Sequence, residues 1–180
     1  MAVLFASLTG NDITKSEQMN TIISDRQKAL VTESWKSFTK HGDLPDLGIP
    51  MFLKLFEDHP EVKSLFSFMR AEGISSKHPQ FRRHANRVFE MIGSAVGSID
   101  DLDTFGDVLK ELGANHYKYG TQSAHLPAVG NALLFALEKE LREEFTNEVR
   151  NAWLSFYSVV SKCFSDGLEK KIKAMEDDNS

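Results

Sequence analysis

Apolar residues recur at three- and four-residue spacing through most of the chain, and this pattern predicts helices. From Gln80 the stripe is Phe81, His84, Ala85, Val88, Ile92, Ala95, Val96 and Ile99, one face of a 3.6-residue period. The next stripe is Phe105, Val108, Leu109, Leu112, His116 and Tyr119. Upstream, Ser24-Asp25-Arg26-Gln27 has the form of a capping box, and Leu30, Val31, Ser34, Trp35 and Phe38 follow it at helical spacing. A second helix is predicted over 46–58, with Phe52, Leu55 and Phe56 as its apolar face. Pro50 lies inside it; lacking an N–H, it is expected to kink the helix or delay its start. His59-Pro60 ends that segment and opens a short one through Leu65, closed by Phe66-Ser67-Phe68-Met69. The stretch 73–77 reads as loop. Leu126-Pro127 opens a helix carrying Val129, Leu133, Leu137 and Leu141. Thr146 caps a last helix whose stripe is Val149, Trp153, Phe156, Tyr157, Val160, Phe164 and Leu168. No run alternates long enough for a strand. The expectation is an all-α fold, seven or eight helices in one domain over 24–172, with a loose extension over 1–23 and an acidic, frayed tail over 173–180.

A chain of 180 residues can bury one full core. Its 13 phenylalanines suit a large aromatic interior or a flat apolar ligand. The formal charge of −5 argues against a nucleic-acid partner, and the one basic cluster, Arg82-Arg83 with Arg87, sits on a helical segment. A single cysteine, Cys163, cannot build a disulfide framework or a thiolate metal site within one chain. It reads as an inert, partly buried thiol at the edge of the last stripe. The short apolar run at 3–6 has no basic residue before it, unlike a secretory signal, and Ala2 is not a myristoylation acceptor. No stretch approaches the roughly 20 apolar residues of a membrane span. The expected compartment is the cytoplasm, with no membrane anchor.

Of six histidines, four sit at breaks: His59 and His78 precede prolines, His125 precedes Leu126-Pro127, and His41 precedes Gly42 at a helix end. His84 and His116 alone fall within long helical stripes, on the apolar face. Burying an imidazole without a partner costs about 1–3 kcal/mol, so two such placements require an explanation. Either both are hydrogen-bonded core histidines, or both point at a shared metal or cofactor. Neither has a histidine or carboxylate one turn away on its face, as a helical zinc or di-iron site needs. A haem needs only one protein ligand, and its walls can be hydrocarbon.

At this point the residues resemble a known family. His59-Pro60-Glu61-Val62-Lys63-Ser64-Leu65-Phe66 is similar to the globin segment ending in the phenylalanine that packs on the haem. Gln80-Phe81-Arg82-Arg83-His84-Ala85-Asn86-Arg87-Val88 resembles the start of globin helix E, and Leu112-Gly113-Ala114-Asn115-His116 the end of helix F. Trp35 matches the helix A tryptophan, and Asn151-Ala152-Trp153 resembles helix H of the cytoglobin-like branch. Order and spacing together point to the animal neuroglobin, cytoglobin and globin X group. Pro50 departs from the pattern, falling where helix B normally continues. The extension lacks the early glycine or cysteine that lipid-modified globin X termini carry.

The resemblance implies a globin fold around haem b. His116 would be the proximal ligand, its other ring nitrogen donating to a nearby carbonyl or hydroxyl. His84 would be the distal residue, either donating to bound oxygen or itself occupying the sixth position of a hexacoordinate iron. Phe66 would lie on the porphyrin, Val88 and Leu112 would keep the pocket dry, and Phe52 would narrow the distal side. Phe81 would line the pocket start, and Arg87 would reach a haem propionate. The implied function is reversible binding of oxygen, carbon monoxide or nitric oxide, by a monomer or weak homodimer. Alternatives are a redox enzyme (nitric oxide dioxygenase, nitrite reductase-like or peroxidase-like) supplied by an external reductase, and a sensor in which haem state moves the E helix.

Overall fold

The computed structural model describes residues 23–66 and 75–178. Expectations for residues 1–22 of the 1–23 extension, the turn through Met69 and the last two residues lie outside the described residues; Ile23, expected in the loose extension, is instead 1% exposed and belongs to the core. Among the described residues there are six α-helices: α1 (Asp25–Phe38), α2 (Leu44–Asp58), α3 (Pro79–Gly97), α4 (Leu102–His116), α5 (Leu126–Leu141) and α6 (Asn147–Asp177). A 3-10 helix, Pro60–Leu65, follows α2, and shorter 3-10 turns flank α5. No strand occurs among them.

Local chemistry sets the helix starts. Ser24 forms the expected capping box with Gln27, and the Thr146 hydroxyl accepts from the Val149 N–H. Helix α2 begins two residues earlier than expected, so Pro50 does not delay it. Pro45 falls in the first turn, where a missing N–H costs nothing. Pro50 forgoes one hydrogen bond, a cost of about 3 kcal/mol. Against it stand Leu47, Ile49, Met51, Phe52, Leu55 and Phe56, all buried, at roughly 1.5–3 kcal/mol each. Packing wins over propensity. At the other end, α6 stays helical to Asp177, into the stretch expected to fray. Residues 168–177 contain no glycine or proline, and Glu169 stands four residues before Lys173.

Helix α1 packs on α6, α2 on α3 and α5, and α4 along α6. An aromatic group of Trp35, Phe38, Phe89 and Trp153 joins α1, α3 and α6, with ring centroids 5.5–6.0 Å apart. The buried Trp153 indole donates to Ser34 Oγ at 2.9 Å, which satisfies both groups. The α4–α6 crossing is closer still. A Cβ at Gly113 would lie 1.9 Å from the Phe164 carbonyl oxygen, and one at Gly167 would lie 1.9 Å from that of Lys110. The two backbones touch, and only glycine permits it. Cys163 is buried in the same seam, its Sγ 3.4 Å from where a Gly106 Cβ would stand.

One stripe needs correction. Val108 is 44% exposed and does not belong to the buried face of α4, and Tyr119, 54% exposed, lies past the end of that helix in a 3-10 turn. That face is Leu102, Gly106, Leu109 and Gly113, turned to α6, while Phe105, Leu112 and His116 are half-buried on an adjacent face. A stripe read without its partner helix is about one residue too wide.

Candidate haem pocket

Helices α3 and α4 are consecutive, yet they do not pack extensively on each other. Each is backed elsewhere, α3 by α2 and α4 by α6. His84 projects from the third and His116 from the fourth, both half-buried. Positive charge on His116 disfavours protonation of His84, so the two imidazoles lie within electrostatic reach.

The His116 ring is fixed by a polar contact. Its Nδ1 donates to the Leu112 carbonyl at 2.8 Å, one helical turn back. The Nδ1 proton leaves the Nε2 lone pair available. The edges of Phe164 (5.0 Å between centroids, 62°) and Tyr119 (5.9 Å, 75°) flank the ring. Burial lowers its basicity and outweighs the Leu112 carbonyl, which favours the protonated form; the Lys118 charge adds to the lowering.

His84 is held differently. Phe52 and Phe66 meet its ring at 5.2 and 5.3 Å, both in edge geometry. No described residue hydrogen-bonds to it. Its basicity is pushed down to about 4, first by burial, then by the charges of His116 and Arg87. At neutral pH the ring is uncharged and one of its nitrogens carries a lone pair.

The remaining expected residues divide. Val88 is half-buried against the core near His84. Phe81 is fully buried behind Phe52 and Phe56, at 5.9 and 6.1 Å, and serves as the back wall of the α2–α3 packing. Leu112 contributes its carbonyl to His116. Arg87 is exposed, with its charge felt at His84. The discounted histidines are spoken for: His41 meets Glu140 at 3.0 Å, His59 meets Glu61 at 3.2 Å, His125 accepts from the Gln122 N–H, and His78 precedes the first turn of α3. Phe164 was legible only as core; its place beside His116 depends on the glycine crossing, which sequence does not announce.

Among the described residues no group of three or more His, Cys, Asp or Glu side chains could hold a metal ion. What the site offers is two neutral imidazoles on separate helices and phenylalanine walls. That donor set fits a planar, mostly apolar group carrying its own metal, such as an iron porphyrin.

The globin family model matches residues 50–164. The chain belongs to the globin family. Among relatives of this globin is a neuroglobin of Danio rerio, 34% identical over 151 residues that span 82% of this chain and 94% of the relative. A neuroglobin of Chaenocephalus aceratus is also 34% identical, with the same coverage. Among solved structures, a hexacoordinated haem protein from an anhydrobiotic tardigrade, crystallised at pH 4, superposes with a TM-score of 0.74. It is 26% identical, and the match covers 82% of this globin and 96% of that chain. Family and fold together make haem b the cofactor. Among the described residues, no helix is long and apolar enough to cross a membrane.

Proposed function

We propose that this globin binds a diatomic gas reversibly, oxygen first, at a haem b held by His116, with His84 occupying the sixth position when no gas is present. Haem b supplies an iron that takes a neutral diatomic ligand at one face. The observation that carries the reading is the pair of neutral imidazoles on α3 and α4, near enough that the charge of one lowers the basicity of the other, one with Nδ1 already engaged and one with no hydrogen-bond partner among the described residues.

The chain's own residues then have distinct tasks. Leu112 keeps the His116 proton on Nδ1 and so leaves the Nε2 lone pair for the iron. Phe52, Phe66 and Val88 exclude water from the distal side, which slows loss of an electron from the reduced iron. Arg87, exposed on α3, is placed to meet a propionate. His84 competes with the gas. If the open form is a fraction f of the total, gas affinity falls by 1/f. The hexacoordinated tardigrade protein and the neuroglobins are consistent with that competition. Turnover of nitric oxide or nitrite at the same site would draw electrons from an external reductase.

The test is the anaerobic absorption spectrum of the reduced protein beside His84→Leu. Sharp, split low-spin bands that broaden in the variant are expected. Broad bands in both would remove His84 from the iron. Absence of haem absorption after reconstitution would sink the reading.

A further inference from the structure

We infer that Phe164 is a positioning residue for the His116 imidazole, and that the glycine crossing of α4 and α6 is what puts it there. The inference rests on the reading that His116 holds the haem.

Leu112 anchors the His116 ring at one atom, Nδ1. One hydrogen bond leaves the ring free to rock about the axis through that contact. A second, non-collinear contact removes this freedom, and the Phe164 edge at 5.0 Å and 62° is the nearest aromatic contact to the ring. Tyr119, at 5.9 Å and 54% exposed, is a weaker stop on the chain segment just after α4. Phe164 is also the residue whose own backbone carbonyl lies against Gly113, three residues before His116. The same residue therefore meets α4 twice, by its backbone at Gly113 and by its ring at His116. Gly167, against the Lys110 carbonyl, locks the next turn of the crossing. A helix pair touching backbone to backbone at two places can neither slide nor roll, so the Phe164 ring has a fixed station beside the imidazole.

Phe164 thereby sets the plane of the imidazole that faces the iron. In a ferric low-spin haem the spread of g values in the electron paramagnetic resonance spectrum depends on ligand-plane orientation, and a purely structural residue does not move it while the ligands stay on. The experiment uses the holoprotein with Phe164→Leu, Phe164→Tyr and His116→Ala. Phe164→Leu is expected to keep its haem, change the g spread, and release haem to an apoglobin acceptor about three- to tenfold faster, the scale of one aromatic contact. Phe164→Tyr, which preserves the ring, should return both readouts toward wild type. Unchanged g values and release in Phe164→Leu, with His116→Ala losing the low-spin spectrum, would overturn this proposal and leave the role of His116 standing. A His116→Ala protein with the wild-type spectrum would overturn both. If Phe164→Leu melts below working temperature, Phe164→Met provides the same test with less lost volume.

Discussion

The two imidazoles differ in what holds them. His116 is tied to its own helix by a 2.8 Å hydrogen bond, and that helix is clasped to α6 through Gly113 and Gly167. Among the described residues His84 has the ring edges of Phe52 and Phe66 and no hydrogen-bond partner, and its own helix is tied to α2 by packing and a surface ion pair. A hydrogen bond fixes direction as well as distance, and a ring edge beside it then limits the remaining rotation; edge contacts alone fix a volume within which a ring can turn. On the proposed reading, the same side chain would serve as a fixed ligand on one side and as a releasable one on the other.

The largest test of that contrast is deletion of each imidazole. His116→Ala should speed haem transfer to an apoglobin acceptor on the order of hundredfold, about 2.7 kcal/mol. His84→Ala should hold its haem with a far smaller change, and His41→Ala, at a surface ion pair with Glu140, should have none. Equal loss in the His84 and His116 variants would erase the asymmetry.

Next come the glycines. Gly113→Ala or Gly167→Ala places a methyl against a backbone carbonyl, which cannot turn aside. Each should cost about 2 kcal/mol, seen as a fall in Tm of roughly 4–8 °C. On the distal side, Gly48→Ala meets the Phe89 ring at 2.8 Å, and a ring can rotate by a few tenths of an ångström, although the Ala85 carbonyl at 3.2 Å limits the relief. Its fall should be smaller. A larger loss at Gly48 than at Gly113 would mean that the α4–α6 seam is not the stiffer one.

These glycines also show where sequence reasoning stops. The period of α3 was readable because its apolar residues carry the signal themselves. Gly113 sat within a recognised motif and Gly167 within a recognised stripe, but a glycine has no pattern until the partner backbone is known. The Leu112 carbonyl was foreseeable only as some acceptor near His116, because main-chain atoms have no letter in the sequence. Val108 was assigned to the wrong face of α4, and Tyr119 to a stripe that ends before it, for a related reason: spacing says that a stripe exists, and only the neighbouring helix decides its edges. The delay expected from Pro50 failed in the opposite direction, since the local penalty was plain and the burial that offsets it was not.

A third, smaller effect separates the two sides kinetically. Phe52→Leu removes one of the two edges on His84, a contact of roughly 0.5–1.5 kcal/mol. His84 should leave the iron about two- to tenfold faster, measured by carbon monoxide mixing with the reduced protein. Phe164→Leu should leave that rate nearly unchanged, because its effect falls on the other ring. Acceleration by both to the same degree would mean that the two imidazoles move as one unit.

The smallest expected effect is electrostatic. Arg82 Nη1 donates to Asp46 Oδ1 at 2.6 Å, linking the start of α3 to the start of α2 two residues from His84. The hydrogen bond to Arg82 holds the Asp46 carboxyl below its ordinary value of 3.8. A carboxyl depressed in the folded state binds its proton less readily than in the unfolded chain. The stability it contributes is therefore present above about pH 4 and is lost as pH falls through the folded value. Both side chains are largely solvated, so the contribution is small and salt screens it. Arg82→Gln should lower Tm slightly between about pH 5 and 7, with the gap to wild type closing as the Asp46 carboxylate is protonated in acid and shrinking in about 0.5 M salt. The haem release rate should not follow this gap, because the ion pair braces the His84 side while the His116 side is closed by backbone contact and one carbonyl, neither of which titrates. A release rate that tracked the Arg82 gap across pH would show the two sides sharing one scaffold, and the contrast between a fixed and a releasable imidazole would have to be carried by the rings alone.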